Sequence, residues 1–203
     1  MKSLIKKTVS TAALITCFIQ STYALSLDEI GSKFQDLNSH SVLFTQEKYL
    51  KDAELNLESS GKVISAKDKG ILIRQSEPYQ MELVVKKDSI TEYSEGESHT
   101  IKADDNPAVH SLLNLLLKLM HPDDELKKDF DYKLEGSKDS FILTLCPKDS
   151  NLKNFFEEIK LNGTRYIDKL VIKGAHGDVT TMKFKDYDFS DKALAPEDLK
   201  YFD

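Results

Sequence analysis

Hydrophobic and polar residues alternate along most of this chain with the two-residue period of β-strands. In 42–49, Val42 and Phe44 alternate with Leu43 and Thr45, so successive side chains point to opposite faces. Similar segments follow, separated by turn signals; they are 55–65, 71–76, 79–86, 89–94, 97–102, 130–135, 140–146, 155–161, 165–173 and 178–187. The pattern predicts one mainly β domain of roughly ten antiparallel strands.

One helical segment precedes the strands. Ser26 and Glu29 have the spacing of a capping box, in which each side chain accepts a hydrogen bond from the backbone of the other residue. Hydrophobic residues then recur at helical spacing, at Leu27, Ile30, Phe34 and Leu37. We expect a short amphipathic helix at the start of the mature domain.

A second helical segment interrupts the strands. Asn106 and Pro107 are a typical N-cap and first helical residue, and the helix Val109–Met120 follows, ending before His121-Pro122. It is apolar on almost every side, which is typical of a helix buried on more than one side. It is too short to cross a bilayer. A further short helix is predicted near 123–128.

A sheet of this many antiparallel strands must close or curl to bury one face. A barrel, a sandwich and a deeply curved half-barrel all satisfy that requirement. The leucine-rich helix must also bury its apolar surface, and the simplest solution places it in the concave side of a curved sheet. We find no fixed-period repeat and no linker, so a single domain is expected over 25–203.

The segment Met1–Ala24 has the features of a secretory signal peptide. Lysines lie at its start, a short apolar stretch follows, and small residues precede a cleavage site after Ala24. The mature protein is therefore expected in the periplasm. The alternative is lipidation at Cys17, because 14–17 loosely resembles a lipoprotein signal, although Thr16 is larger than the residue usually found there.

Charge and cysteine content exclude some classes. Without the leader, 25 basic residues face 34 acidic ones, a net charge of −9, which disfavours binding to nucleic acid. Cys146 is the one cysteine left after cleavage, so no intramolecular disulfide is expected, and we expect Cys146 to be a buried strand residue.

No pattern of catalytic or metal-binding residues is found. The five histidines, His40, His99, His110, His121 and His176, lack metal-ligand spacing and are expected at the surface or at helix caps. Ser111 follows His110 but lies within a helix, without a nucleophile elbow. Acidic residues at 104–105 and 123–125 fit helix N-termini. We expect no enzyme activity, no cofactor and no metal.

Several short motifs, in this order, resemble the LolA family of periplasmic outer-membrane lipoprotein carriers. Phe44–Lys48 and Ser59–Val63, with a strand that ends before Pro78, are similar to motifs in the first half of that family. The later motifs resemble a LolA-related branch associated with polyene or glycolipid export; they are Leu143–Lys148, Ile159, Leu161, Gly163, Gly177-Asp178 and Met182–Phe184. The resemblance covers nearly all of 26–187.

The resemblance implies an unclosed antiparallel β half-barrel of about eleven strands, mainly β with α, with an N-terminal helix and an apolar lid helix. Its cavity would bind acyl chains of lipoproteins or other lipids, received from an inner-membrane donor complex and delivered to an outer-membrane acceptor, with the protein acting as a monomer. The predicted cavity wall is Phe44, Ile71, Ile73, Met81, Leu83, Phe141, Leu143, Leu145, Ile159 and Leu161, and the predicted lid residues are Leu112, Leu113, Leu116, Leu117 and Met120.

One departure from the family concerns the lid. The carriers have an Arg-Pro pair whose arginine latches the lid, whereas Lys67-Asp68 occupy the matching positions here, and tryptophan is absent. Lys67 is a candidate latch with a less suitable donor geometry. Lipids and lipid-linked molecules are therefore alternative cargoes to lipoproteins. A lipid-sensing module that regulates a signalling partner is the alternative function.

Overall fold

The computed structural model describes residues 25–35, 39–105, 107–120, 125–137, 139–189 and 194–202. Several predictions lie outside these residues: the signal peptide Met1–Ala24 with Cys17, the N-cap Asn106, His121 and the acidic pair at 123–124.

Eleven strands and five α-helices make up the described chain. The helices are α1 Leu27–Gln35, α2 Pro107–Met120, α3 Leu126–Asp129, α4 Ser150–Lys153 and α5 Pro196–Leu199. The strands are β1 Ser39–Leu50, β2 Leu55–Ala66, β3 Gly70–Glu77, β4 Met81–Val85, β5 Ser89–Ser94, β6 Glu97–Lys102, β7 Phe130–Ser137, β8 Ser140–Pro147, β9 Phe156–Gly163, β10 Ile167–Gly174 and β11 Val179–Asp188.

All strands belong to one antiparallel sheet that does not close. Its order is β6-β5-β4-β3-β2-β1-β11-β10-β9-β8-β7, so β6 and β7 are the two edges. The segment 103–129, which contains α2, connects one edge strand to the other. The predicted mainly β, unclosed half-barrel with an N-terminal helix is confirmed.

Two of these elements follow closely from local sequence signals. At α1, the backbone N–H of Glu29 donates to Ser26 Oγ at 3.2 Å, and that of Ser26 donates to Glu29 Oε2 at 3.1 Å. This is the predicted capping box. Between β5 and β6, Glu95 and Gly96 both have positive φ, 54° and 84°, which a two-residue hairpin turn of this type requires.

The sheet buries side chains on both faces. On the face that contacts α2, which we call the inner face, two hydrophobic clusters share Phe184. Leu27 and Ile30 of α1 belong to one of them. On the opposite, outer face, Phe202 near the C-terminus completes a third cluster with side chains of β2, β3 and β4. This third cluster was not predicted from the sequence.

Two predictions about single residues are wrong. Cys146 is exposed, because the alternation of β8 directs it outward with Ile142 while Leu145 points inward. His40 is 4% exposed and stacks on Phe189, with ring centroids 6.1 Å apart. Its burial arises from residues that are distant in sequence, so its position in the chain did not reveal it.

Candidate functional site

The predicted wall residues all lie on the inner face. Cross-strand pairs share a face of a sheet, and the pairing can be followed across the strands. Ile73 pairs with Leu83 on one side and with Val63 on the other. In the other half of the sheet, Leu143 pairs with Leu161. Phe44 and its partner Phe184 lie between these two groups.

Burial differs across this face. Seven of the predicted wall residues are almost fully buried: Leu143, Leu145 and Ile159 (0% exposed), Phe141 and Leu161 (2%), Phe44 (3%) and Ile71 (4%). Ile73, Met81 and Leu83 are half-buried and extend the apolar surface over β3 and β4. The wall therefore has a tightly packed part and a part that is accessible to solvent.

Helix α2 packs against both inner-face clusters. Leu113 is fully buried among residues that include Phe44 and Ile71, and Leu117 packs against the same cluster. Leu115 and Leu119 pack into the other cluster, beside Leu143 and its neighbours. One helix thus covers the middle of the inner face with leucines on two of its sides.

The predicted lid residues are distributed unevenly around α2. Leu113 is buried, and Leu112 and Leu117 are half-buried. The side chains of Leu116 and Met120 lie outside the described part of the chain. Leu115 and Leu119 make buried contacts but were not among the predicted lid residues, because a helix with leucines on nearly every side does not reveal from sequence which ones face inward.

Two polar contacts between described residues join α2 to the β7–β9 half of the molecule. Lys118 Nζ lies 2.7 Å from Asp129 Oδ2, at the end of α3. Ser111 Oγ lies 3.2 Å from Asp149 Oδ2, and Asp149 also caps α4 by accepting from the backbone N–H of Asn151 at 2.7 Å. Lys67, the predicted latch, is exposed in the turn between β2 and β3, and its latch role stays a prediction.

Aromatic side chains cover the end of the sheet where β1 begins. The Phe189 ring centroid lies 4.2 Å from that of Tyr166 and 5.2 Å from that of Tyr187. The hydroxyl of Tyr187 donates to the Ile167 carbonyl at 2.7 Å, and burial raises the pKa of this phenol well above its ordinary value. The phenol is therefore neutral and acts as a hydrogen-bond donor in the folded protein.

The opposite end, at the β1–β2 turn, is apolar and exposed. Leu55 and Leu57 lie on the inner-face side of β2, paired with Leu50 and Lys48, and are 48% and 45% exposed. The inner face therefore runs from an aromatic-covered end to an end with accessible leucines.

The chemistry of the described site is apolar. Among the residues that the structure describes, no group of three or more His, Cys, Asp or Glu side chains is arranged to hold a metal ion. Of the described helices, none has the length and apolar character needed to cross a membrane. The inner face offers surface for dispersion and hydrophobic contacts.

Residues 35–197 match the sequence profile of the family described as outer membrane lipoprotein carrier protein LolA. No curated protein matches the chain significantly. A LolA superfamily protein from Nitrosomonas europaea has 12% identity and a TM-score of 0.49, covering 89% of this chain and 98% of its own.

A second structure, described as an outer membrane lipoprotein-sorting protein domain from Vibrio parahaemolyticus, has 12% identity and a TM-score of 0.50, covering 84% of this chain and 92% of its own. At this identity the likeness concerns the fold alone. The sequence match spans most of the chain and agrees with the unclosed sheet and the helix on its inner face. The chain therefore belongs to the LolA family.

Proposed function

We propose that this protein carries acyl chains of lipoproteins or lipid-linked molecules through the periplasm towards the outer membrane, bound on the inner face beneath α2. The observation that supports this most is the apolar inner face, which is continuous across the sheet from Leu83 to Leu143 and is covered by a helix that contacts it through leucines. The sequence of Met1–Ala24 supports export.

The physical basis is hydrophobic transfer. Burying a methylene group contributes about 0.8 kcal/mol, so a chain of about sixteen carbons gains on the order of 10 kcal/mol before ordering costs are subtracted. An apolar wall provides this without specific polar groups. Because Leu113 is 0% exposed against the wall, α2 must move for a chain to reach the buried part. The half-buried Ile73, Met81 and Leu83 are the accessible starting surface.

Substitution at the accessible wall tests the site. Leu83→Glu places a charge on the inner face, at a half-buried position that tolerates it better than the buried core does. We expect the affinity for a fluorescent sixteen-carbon acyl probe to fall by about tenfold or more, because a carboxylate must be desolvated when the chain binds. The matched control is Leu43→Glu, the same change on the outer face at a 38% exposed position, which should leave binding unchanged. Equal affinities of a folded Leu83→Glu variant and the wild type would contradict the site.

Transport and lipid sensing are distinguished by a transfer assay. The protein is loaded with the probe from donor vesicles, separated, and mixed with unlabelled acceptor vesicles. A carrier delivers the probe to the acceptor at a rate that rises with protein concentration. Stable binding without delivery, together with recovery of a signalling protein from periplasmic extract, would favour the regulatory alternative.

A further inference from the structure

A groove that the proposed carrier function does not use lies at the end of the β5–β6 hairpin, beside the C-terminal turn. Its volume is about 730 Å³. The start of β4, the hairpin and residues 200–201 form it. Its lining combines phenol rings with carboxylates, which are Tyr79, Tyr93, Tyr201, Glu82, Glu95 and Glu97. We call it the tyrosine–glutamate groove.

The C-terminal side of the groove is held in place by packing on the outer face. Phe202 is 8% exposed in the third hydrophobic cluster. Arg74 Nη2 lies 2.9 Å from Asp198 Oδ1, and Asp198 is itself buried. The Tyr201 ring meets Tyr93 edge-on at 5.3 Å. The groove is therefore preformed, which lowers the ordering cost of binding a ligand.

The groove has an excess of negative charge. Glu95 and Glu97 are exposed, and within the described part of the chain neither carboxylate forms an ion pair. Glu82 shares Arg74 with Asp198, at 3.7 Å from Arg74 Nε. Among the described residues that line the groove, Lys200 is the one cation. Three carboxylates against one ammonium favour a cationic ligand.

The tyrosines favour the same ligand. Lys200 Nζ lies 4.7 Å from the Tyr201 ring centroid and Arg74 Cζ lies 5.7 Å from it, both in the range of cation–π contacts. Tyr79 is 61% exposed, and no cation of the described residues lies over its ring. The groove thus already holds one ammonium against a phenol ring and has a second ring available.

The neighbouring strand favours a peptide over a small amine as the ligand of the groove. β6 is an edge of the sheet, and all its residues are exposed. An edge strand presents backbone N–H and C=O groups to an extended chain. A peptide that runs beside β6 can pair with this edge while its cationic side chain enters the groove between Tyr79 and the carboxylates.

We propose that the tyrosine–glutamate groove binds a short, extended, lysine- or arginine-bearing segment of a protein partner. The groove is separate from the inner face, so this inference does not depend on acyl-chain binding. It gives the molecule a docking surface that remains accessible whether or not the inner face is occupied.

Fluorescence anisotropy with a labelled nonapeptide of three Lys-Ser-Val repeats tests the proposal. The double variant Glu95→Gln/Glu97→Gln should bind about tenfold more weakly at low ionic strength, since each exposed charge pair is worth up to about fivefold in affinity. The matched control, Asp139→Asn/Asp186→Asn, removes the same charge elsewhere and should bind as the wild type does. Binding of the acyl probe should be unchanged in both, which also shows that the variants are folded.

Two single variants separate a built site from general attraction. Tyr79→Ser leaves the charge unchanged and should weaken peptide binding severalfold, whereas Lys200→Gln removes a like charge and should strengthen it. Equal weakening by the two double variants, or no effect of Tyr79→Ser, would overturn the proposal. So would a groove-dependent affinity for phosphatidylcholine vesicles in place of the peptide, because a lipid headgroup would then be the occupant.

Discussion

The ion pair between Lys118 and Asp129 offers a way to change how strongly α2 is attached to the rest of the protein. The two charged atoms are 2.7 Å apart, and the side chains are 26% and 40% exposed. A partly exposed pair of this kind contributes about 0.5–1 kcal/mol after solvent screening. Asp129→Asn keeps the size of the side chain and removes its charge. It should therefore weaken the attachment of α2 by this amount without creating a cavity.

Weaker attachment of α2 should strengthen the binding of acyl chains. In the proposed function the acyl chain needs the wall that α2 covers, so any free energy that stabilises the packed helix is subtracted from the binding free energy. Asp129→Asn should then lower the Kd of the sixteen-carbon probe by about two- to fivefold. Added salt should bring the Kd values of the wild type and Asp129→Asn closer together, since screening weakens the Lys118–Asp129 ion pair in the wild type.

The control lies two residues further along the chain. Asp131 is 80% exposed and lies 3.5 Å from Lys148, away from α2. Asp131→Asn makes the same chemical change and should leave the Kd unchanged. Titration of the probe by fluorescence compares the three proteins. A Kd for Asp129→Asn equal to or higher than that of the wild type would refute the idea that lid packing competes with the acyl chain.

Two further predictions concern stability. In Gly163→Ala, the new Cβ would overlap both the backbone carbonyl oxygen of Tyr166 and the buried ring of Phe141. This overpacking should lower the free energy of unfolding by about 1–3 kcal/mol. An unchanged midpoint of urea unfolding would show that both groups can shift to make room. The second prediction concerns Glu158, where a hydrogen bond from Lys173 holds the pKa of the carboxyl below its ordinary value of 4.5. The pair therefore stabilises the folded protein fully above pH 4.5. This contribution is lost as the pH falls through the lower pKa of the folded state. The Tm difference between the wild type and Glu158→Gln should therefore be largest at neutral pH and disappear in acid. A Tm difference that persists at low pH would contradict the idea that it arises from the ion pair with Lys173.

Local patterns in the sequence predicted the elements whose causes are local. The Ser26–Glu29 capping box and the Glu95-Gly96 turn each depend on a few adjacent residues, and both occur where the sequence indicates. The predicted wall residues share one face of the sheet, but their role as a wall came from the family resemblance and stays a prediction. The unclosed edges came from the family resemblance, because periodicity alone allowed a barrel and a sandwich as well as a half-barrel.

Features that depend on distant contacts were missed. Asp198 and Phe202 lie in a segment without a clear period, and they are buried because Arg74 and the outer face of β3 receive them. Such a contact between distant segments cannot be predicted from local sequence patterns. The burial of His40, which stacks on Phe189, was missed for the same reason. The inward leucines of α2 were ambiguous because the sheet, rather than the helix, determines which side faces it.

Photo-crosslinking tests the central claim most directly. A fatty acid of about sixteen carbons with a diazirine at its far end is bound to the purified protein and activated, and the modified residues are mapped by mass spectrometry. We predict adducts on inner-face side chains such as Leu83, Phe44 and Leu161, and on the leucines of α2. Adducts confined to the outer face or to the tyrosine–glutamate groove would contradict acyl binding beneath the helix.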